Sequence, residues 1–329
     1  MKSFVNSNPR DIRHAATLVQ QAHSEGKTAA IAGGGTDLLG MIKDRIVAPD
    51  VLVNLKALRE LDQVVSTNSG VNIGGLITLD NLSRHELIRR NYAVLAEATE
   101  TVATPQIRNF GTLAGNVCQR PWCWYFRNGF HCFKAGGNQC FSYNGENQFH
   151  AIFGGGPSFI VHPSDTAPAL MALDAKFRIV GPSGERTLSA AEFFVLPKQN
   201  AARENVLADD EVLAGVELTA PTAGTRSTYH KIMDREAWTH AVVSAAVVLE
   251  MDRDLCRRAR IVLGGVAPIP WHVPAAESVL SGQKITPEMA TKAAEAAVAG
   301  ATPLPKNAYK VPLTKKMVER TILDLASRA

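Results

Sequence analysis

The sequence predicts an α+β protein of two domains, and three observations carry that expectation. Its 329 residues are enough for two separate cores. The first two-thirds order as helix, strand, Gly-rich turn, helix, two strands and two more helices. Beyond about Ala220 the texture changes to two long apolar strands followed by two amphipathic helices, with Ala220-Pro221-Thr222-Ala223-Gly224 as the linker between the parts.

Composition narrows the function classes. Apolar residues make up 46% and charged residues 20%, an ordinary globular balance that argues against disorder. A net charge of +4 is no basic stripe, so nucleic acid is not the expected partner. No run of 18 apolar residues offers a membrane span, and Met1-Lys2-Ser3-Phe4-Val5 turns polar too soon for a secretory signal.

The elements follow in order. Residues 9–24 place apolar side chains at helical spacing, with Asp11 as the cap. Thr28–Ala32 is a short buried strand opening into Gly33-Gly34-Gly35, and Leu38–Lys43 starts a helix. Val51–Leu55 and Val71–Leu79 read as strands; Asp80–Arg89 and Ala93–Thr101 read as helices. Ser158–Val161 and Lys176–Val180 read as strands around a helix at Thr166–Leu173. Val242–Met251 and Ala259–Val266 look like adjacent buried strands. Thr286 caps an amphipathic helix over Pro287–Gly300, and Lys315–Ser327 is the last helix.

Four segments stand out as candidate sites. In Ile31-Ala32-Gly33-Gly34-Gly35-Thr36-Asp37-Leu38, glycines between strand and helix let backbone N–H groups converge on a phosphate at a helix N-terminus. A plain tight turn accounts for them equally well, and the segment matches neither GxGxxG nor the P-loop. Thr104–Asn116 supplies hydroxyl and amide groups without bulk, though on its own a structural loop is the better reading. In His162-Pro163-Ser164-Asp165, Ser164 or Asp165 can cap the next helix, and Asp165 can also accept from ligand hydroxyls. Lys231–Trp238 either reaches a ligand edge or forms a surface turn. No GxSxG, HExxH or Cys–His signature appears, and no catalytic residue is assigned.

Cysteine placement is more telling. Cys118, Cys123, Cys132 and Cys140 fall in one aperiodic stretch, with four, eight and seven residues between them, while Cys256 stands alone. A structureless stretch of this length inside a compact domain is usually functional. Thiolates suit zinc or iron–sulfur clusters, but the close CxxC pairs of structural zinc sites are missing, which favours a [4Fe–4S] cluster. Plain buried thiols are the bland alternative. Trp122, Trp124, Tyr125, Phe126, Phe130 and Phe133 either shield a cluster or pack the loop; Arg120, Arg127 and Lys134 either offset its charge or face water.

In order along the chain, AGGGTDLL (32–39), ATPQIRNFGTLAGN (103–116), HPSDTAPALMALDA (162–175) and LGGVAPIPW (263–271) resemble the FAD-binding medium subunit of the xanthine dehydrogenase, or molybdenum hydroxylase, family over essentially the whole length. The Cys-bearing insertion and GENQFHAIFGGGP (145–157) look most like bacterial aldehyde oxidoreductase subunits and are similar in kind to the flavin subunit of 4-hydroxybenzoyl-CoA reductase.

That resemblance implies a two-lobed, PCMH-type FAD-binding domain at 1–219, with lobes at about 1–56 and 57–219 and an insertion at 117–157, followed by a C-terminal α+β domain at 225–329. It assigns Ile31, Ala32, Gly33, Gly34, Gly35, Thr36, Asp37 and Leu38 to the FAD pyrophosphate and Thr112, Gly115 and Asn116 to a second wall. Asp165 falls to the ribityl or ring region, with Lys231 nearby. A [4Fe–4S] cluster is expected on Cys118, Cys123, Cys132 and Cys140; Ser158 stands where some cluster-bearing relatives place a cysteine, and either Cys118 supplies the fourth ligand instead or the cluster is incomplete, altered or absent. The implied role is electron transfer, from a molybdenum-cofactor large subunit through a [2Fe–2S] small subunit to FAD and an external acceptor, with an aldehyde, or else an N-heterocycle, as the expected substrate. The implied assembly is a heterotrimer or its dimer, cytoplasmic, or periplasmic if exported with a signal-bearing partner. Two other classes compete: a self-sufficient FAD-dependent oxidase, which would turn over alone, and a zinc-stapled interaction module, which would be colourless.

Overall fold

The computed structural model describes residues 2–328. Its first sheet is small and parallel: β1 (Val5–Ser7), β2 (Ala29–Ala32) and β3 (Val51–Asn54) lie in the order β1-β3-β2. Parallel neighbours require a crossover, and the helix Ile12–Ser24 supplies the one between β1 and β2. Asp11 starts that helix as expected, its Oδ1 accepting from His14 N at 2.7 Å. Ala15 and Val19, fully buried, carry the helix onto Val53 and onto Val180, Val212 and Ala214 of the neighbouring sheet. The first lobe is thereby fixed against the second.

The second sheet is antiparallel, with β4 (Val64–Thr67), β5 (Gly70–Gly74), β6 (Lys176–Gly181), β7 (Gly184–Ser189) and β8 (Val212–Thr219) in the order β4-β5-β8-β6-β7. The last strand in sequence fills the centre, so everything between residues 75 and 175 is an excursion whose two ends meet on β8. Phe177, Ile179, Val216 and Leu218 bury one face against the helices Leu79–Arg84, Ala93–Glu100 and Thr166–Ala172.

Three expectations fail here for local reasons. The strand expected over Val71–Leu79 ends at Gly74, and Thr78 Oγ1 accepts from Asn81 N at 3.2 Å to start a helix. The expected helix over 80–89 is two short ones, broken where His85 is extended. Ser158–Val161 forms no strand either; it is tied irregularly, with Ala151 N donating to Phe159 O and His162 N to Ala267 O.

The C-terminal part is a third sheet: β9 (Thr225–Ile232), β10 (Val243–Asp252), β11 (Leu255–Gly264), β12 (Trp271–His272) and β13 (Gln283–Lys284), in the order β12-β11-β10-β9 with β13 on β11. The near-continuous apolar run of β10 has a clear cause. Val243, Ala245, Val247 and Leu249 face the helices Pro274–Leu280, Pro287–Val298 and Lys310–Ser327, whereas Ala246 and Val248 join the core of the second sheet and its helices. With both faces covered, alternation disappears. Thr286 caps its helix as expected, accepting from Met289 N at 3.3 Å. The last helix begins at Lys310, five residues before the sequence alone suggests.

The insertion stays irregular, apart from short helical turns at Trp124–Arg127 and Phe133–Ala135. It is nonetheless pinned on several sides. Glu204, 5% exposed, receives Arg120 Nε at 2.8 Å and Lys134 Nζ at 2.9 Å. Lys310 Nζ donates to the carbonyls of Phe149 (2.9 Å), His150 (3.2 Å) and Gly265 (2.7 Å), joining the insertion to the C-terminal sheet. The buried ammonium groups of Lys134 and Lys310 thus both have oxygen acceptors.

Candidate functional site

A cavity of about 580 Å³ opens where the two lobes and the C-terminal part meet, lined among others by Thr36, Asp37, Thr112, Gly115, Asn116 and Asp165. Its floor is made by two segments in direct contact. A Cβ at Gly34 would stand 1.8 Å from the Phe110 carbonyl oxygen, and one at Gly33 would stand 2.8 Å from Thr112 Oγ1. Only glycine lets the strand–helix turn meet the second motif so closely. Gly35 turns the chain with φ +76°. On the opposite segment Thr112 Oγ1 accepts from Gly115 N at 3.2 Å and starts the helix Leu113–Val117.

The third wall shows a division of labour between neighbours. Ser164 caps the next helix, its Oγ accepting from Ala167 N at 3.0 Å. Asp165 is thus free for other partners: Lys231 Nζ stands 2.7 Å from Oδ2, and Tyr229 OH donates to Oδ1 at 2.8 Å. Asp165 is 4% exposed, yet it reaches the cavity. Burial and the Asp165 charge push the Tyr229 phenol well above its usual range, so it stays a donor. Asn116 is oriented by two hydroxyls, its Oδ1 accepting from Ser164 Oγ at 2.6 Å and Thr166 Oγ1 at 2.7 Å.

The residues expected to bind cofactor do not all stand in one place. Thr36, Asp37, Thr112, Gly115, Asn116 and Asp165 line the cavity. Gly33, Gly34 and Gly35 form the turn beneath it, Ala32 is buried, and Leu38 packs in the first lobe. Ile31 lines a second cavity, with Arg120, Lys134 and Glu204. Lys231 stands behind Asp165, where Thr101 O also accepts from it at 3.0 Å. Sequence reasoning missed Gln119, His240 and Tyr229 and gave Trp122 only to the Cys-rich stretch, because their place at this cavity is created by tertiary contact.

The insertion differs from expectation. Arg127 pairs with Asp37 at 2.8 Å, and Arg120 and Lys134 share Glu204, so these cations have carboxylate partners of their own. Cys123 and Cys132 belong to one apolar cluster with Met41 and Phe126, whereas Cys118 ends the helix Leu113–Val117 and packs against the main core. Burial pushes the Cys118 thiol up to about 12. Burial, with smaller contributions from Cys140 and Cys132, pushes Cys123 up to about 11. Cys123 Sγ is 3.4 Å from His150 Nε2, and Phe159 N donates to Cys140 Sγ at 3.5 Å. Among the described residues no three His, Cys, Asp or Glu side chains are grouped so as to hold a metal ion. The four cysteines therefore do not form the compact single-ion site that a zinc staple needs.

Comparison with known proteins gives the family. Residues 2–221 match the FAD binding domain in molybdopterin dehydrogenase, and residues 228–325 match the CO dehydrogenase flavoprotein C-terminal domain. The chain is 32% identical to the aldehyde oxidoreductase FAD-binding subunit PaoB of Escherichia coli, with 100% of each covered. It is 28% identical to the carbon monoxide dehydrogenase medium chain of Hydrogenophaga pseudoflava, covering 95% of this chain and 94% of that one. A solved carbon monoxide dehydrogenase from the same organism superposes with a TM-score of 0.77 at 27% identity, over 98% of this chain and 96% of that one. The chain belongs to the family of FAD-binding medium subunits of molybdenum hydroxylases. No helix among the described residues is long and apolar enough to cross a membrane.

Proposed function

We propose that this chain holds FAD in the central cavity and passes electrons from a molybdenum-cofactor large subunit and a [2Fe–2S] small subunit to an external acceptor. The observation that carries the reading is the contact of Gly33 and Gly34 with Phe110 and Thr112, which brings a glycine turn and a threonine-capped helix start to one cavity. Backbone N–H groups of the turn Gly33–Asp37 would hold the pyrophosphate, with Thr112, Gly115 and Asn116 as the facing wall. Asp165 would meet the ribityl or ring region, paired with Lys231 and aimed by Tyr229. Bound FAD supplies the redox chemistry, and the chain supplies orientation and a fixed charge.

Aldehyde oxidation is the proposed reaction of the assembled complex, on the strength of the likeness to PaoB. A [4Fe–4S] cluster in the insertion belongs to the same reading, with Cys118, Cys123, Cys132 and Cys140 as the proposed ligands. What supports it is the donor chemistry: Cys123 and Cys132 pack in one cluster with Phe141, the neighbour of Cys140, whereas Cys118 lies against the main core. A cluster spreads its ligands over several irons, so they need not converge on one point. The complex works in the cytoplasm, or in the periplasm if a signal-bearing partner exports it.

The test is anaerobic addition of aldehyde, monitored in the visible spectrum, to the complex and to this chain alone. Flavin bleaching only with the partners present supports the subunit role; bleaching of the isolated chain by substrate contradicts it. Metal analysis of the isolated chain should find about four irons and no zinc.

A further inference from the structure

One wall of the cavity comes from an unexpected source. Trp122 belongs to the Cys-bearing insertion, yet it lines the cavity. It is held there by a chain of contacts from the first lobe. Asp37 binds Arg127 at 2.8 Å, and that guanidinium lies over the Trp122 ring, 4.4 Å from its centroid. Arg127 is itself fixed, donating through Nε to Pro121 O at 2.9 Å and through Nη2 to Arg120 O at 2.8 Å. His240 of the C-terminal part approaches the indole at 5.5 Å with an interplanar angle of 34°. His240 in turn is tied to Pro163 O, two residues before Asp165, at 3.3 Å.

The indole is therefore fixed in position while 51% of its surface stays open. A large aromatic side chain that is restrained by three parts of the chain and still exposed to a cavity is prepared for a planar ligand. Trp124, two residues on, is 64% exposed and lines no part of this cavity, so the placement is particular to Trp122.

We infer that Trp122 is a direct contact of the bound cofactor, packing its indole on the isoalloxazine ring of FAD. The ring end is favoured over the adenine end because Trp122 shares its wall with Pro163, Asp165 and His240, whereas the phosphate-binding turn lies on the first lobe. The insertion is thus a part of the flavin site, and Arg127 is a positioning residue that acts through Trp122. This rests on the reading that the cavity holds FAD.

The test compares wild type, Trp122→Ala, Trp122→Phe and Trp124→Ala in the purified complex, stripped of flavin and titrated with FAD. Two readouts are followed, the dissociation constant and the emission of bound flavin, which an electron-rich indole quenches on contact. Trp122→Ala should weaken FAD about tenfold, the scale of one lost aromatic stack, and raise bound-flavin emission severalfold. Trp122→Phe should keep most of the affinity with intermediate emission, and Trp124→Ala should match wild type in both. Unchanged affinity and emission in Trp122→Ala overturns the contact. Weaker binding with unchanged emission puts the indole on the adenine and overturns the ring assignment. A wild-type complex that takes up no FAD defeats the cofactor reading itself, a separate result.

Discussion

Lys231 Nζ lies 2.7 Å from Asp165 Oδ2, and the two side chains are only 1% and 5% exposed. Burying one of these charges without the other would be heavily unfavourable. Lys231→Met should therefore lower the unfolding free energy by about 3–5 kcal/mol, because it strands a carboxylate with Tyr229 as its remaining partner. The double variant Asp165→Asn/Lys231→Met should recover part of that loss, since residues in one network are not additive. Denaturant unfolding of the wild type, Lys231→Met, Asp165→Asn and the double variant reads both effects; additive losses would show that the pair is not coupled.

Gly34 is the second point of leverage. Gly34→Ala places a methyl group 1.8 Å from the Phe110 carbonyl oxygen, so the two motifs must part. The expected outcome is loss of most bound FAD on gel filtration, with the fold retained by circular dichroism. Gly300→Ala, whose Cβ would meet nothing within 4 Å, serves as the control and should keep its flavin.

The pH response is set in part by His162. It is 4% exposed, Ser164 N donates to its Nδ1 at 3.3 Å, and its edge-on neighbour is Phe194 at 4.9 Å. Burial pushes its pKa down to about 3, with Lys134 adding to the effect. The native imidazole is thus neutral while the unfolded one protonates near 6.5. Below pH 6.5 the unfolded chain binds the extra proton, so stability should fall by up to about 1.4 kcal/mol per pH unit down to pH about 3. Urea unfolding of His162→Gln at the same pH values should show a shallower slope; an identical slope would acquit His162.

Iron content addresses the insertion. Cys123→Ser should lose iron while keeping most of its FAD, because Cys123 packs with Cys132 and Phe126 and lines no part of the flavin cavity. Full retention of iron would remove Cys123 from the proposed ligand set.

Much of the fold could be read from the chain because its signals are local. Asp11 and Thr286 announce their helices through side chains that accept from the third N–H onward. The β10–β11 pair is legible from its apolar runs. What stayed hidden depends on distant partners. β8 lies at the centre of its sheet between strands more than thirty residues upstream, and no local pattern says so. The roles of Gly33 and Gly34 divide in the same way: their presence is visible in the sequence, but Phe110 and Thr112, which make glycine necessary, are not adjacent to them. Lys231 and Asp165 were both marked from the sequence, whereas Tyr229, which holds the other carboxylate oxygen, is an unremarkable strand residue until β9 brings its hydroxyl to Asp165. Trp122 was legible only as one aromatic among several in a Cys-rich stretch.

The claim on which the rest depends is that the central cavity binds FAD, and the direct measurement is the flavin released by acid from the freshly purified complex. The account predicts about one FAD per copy of this chain. A complex that is correctly folded, contains its partners and releases no flavin would contradict it.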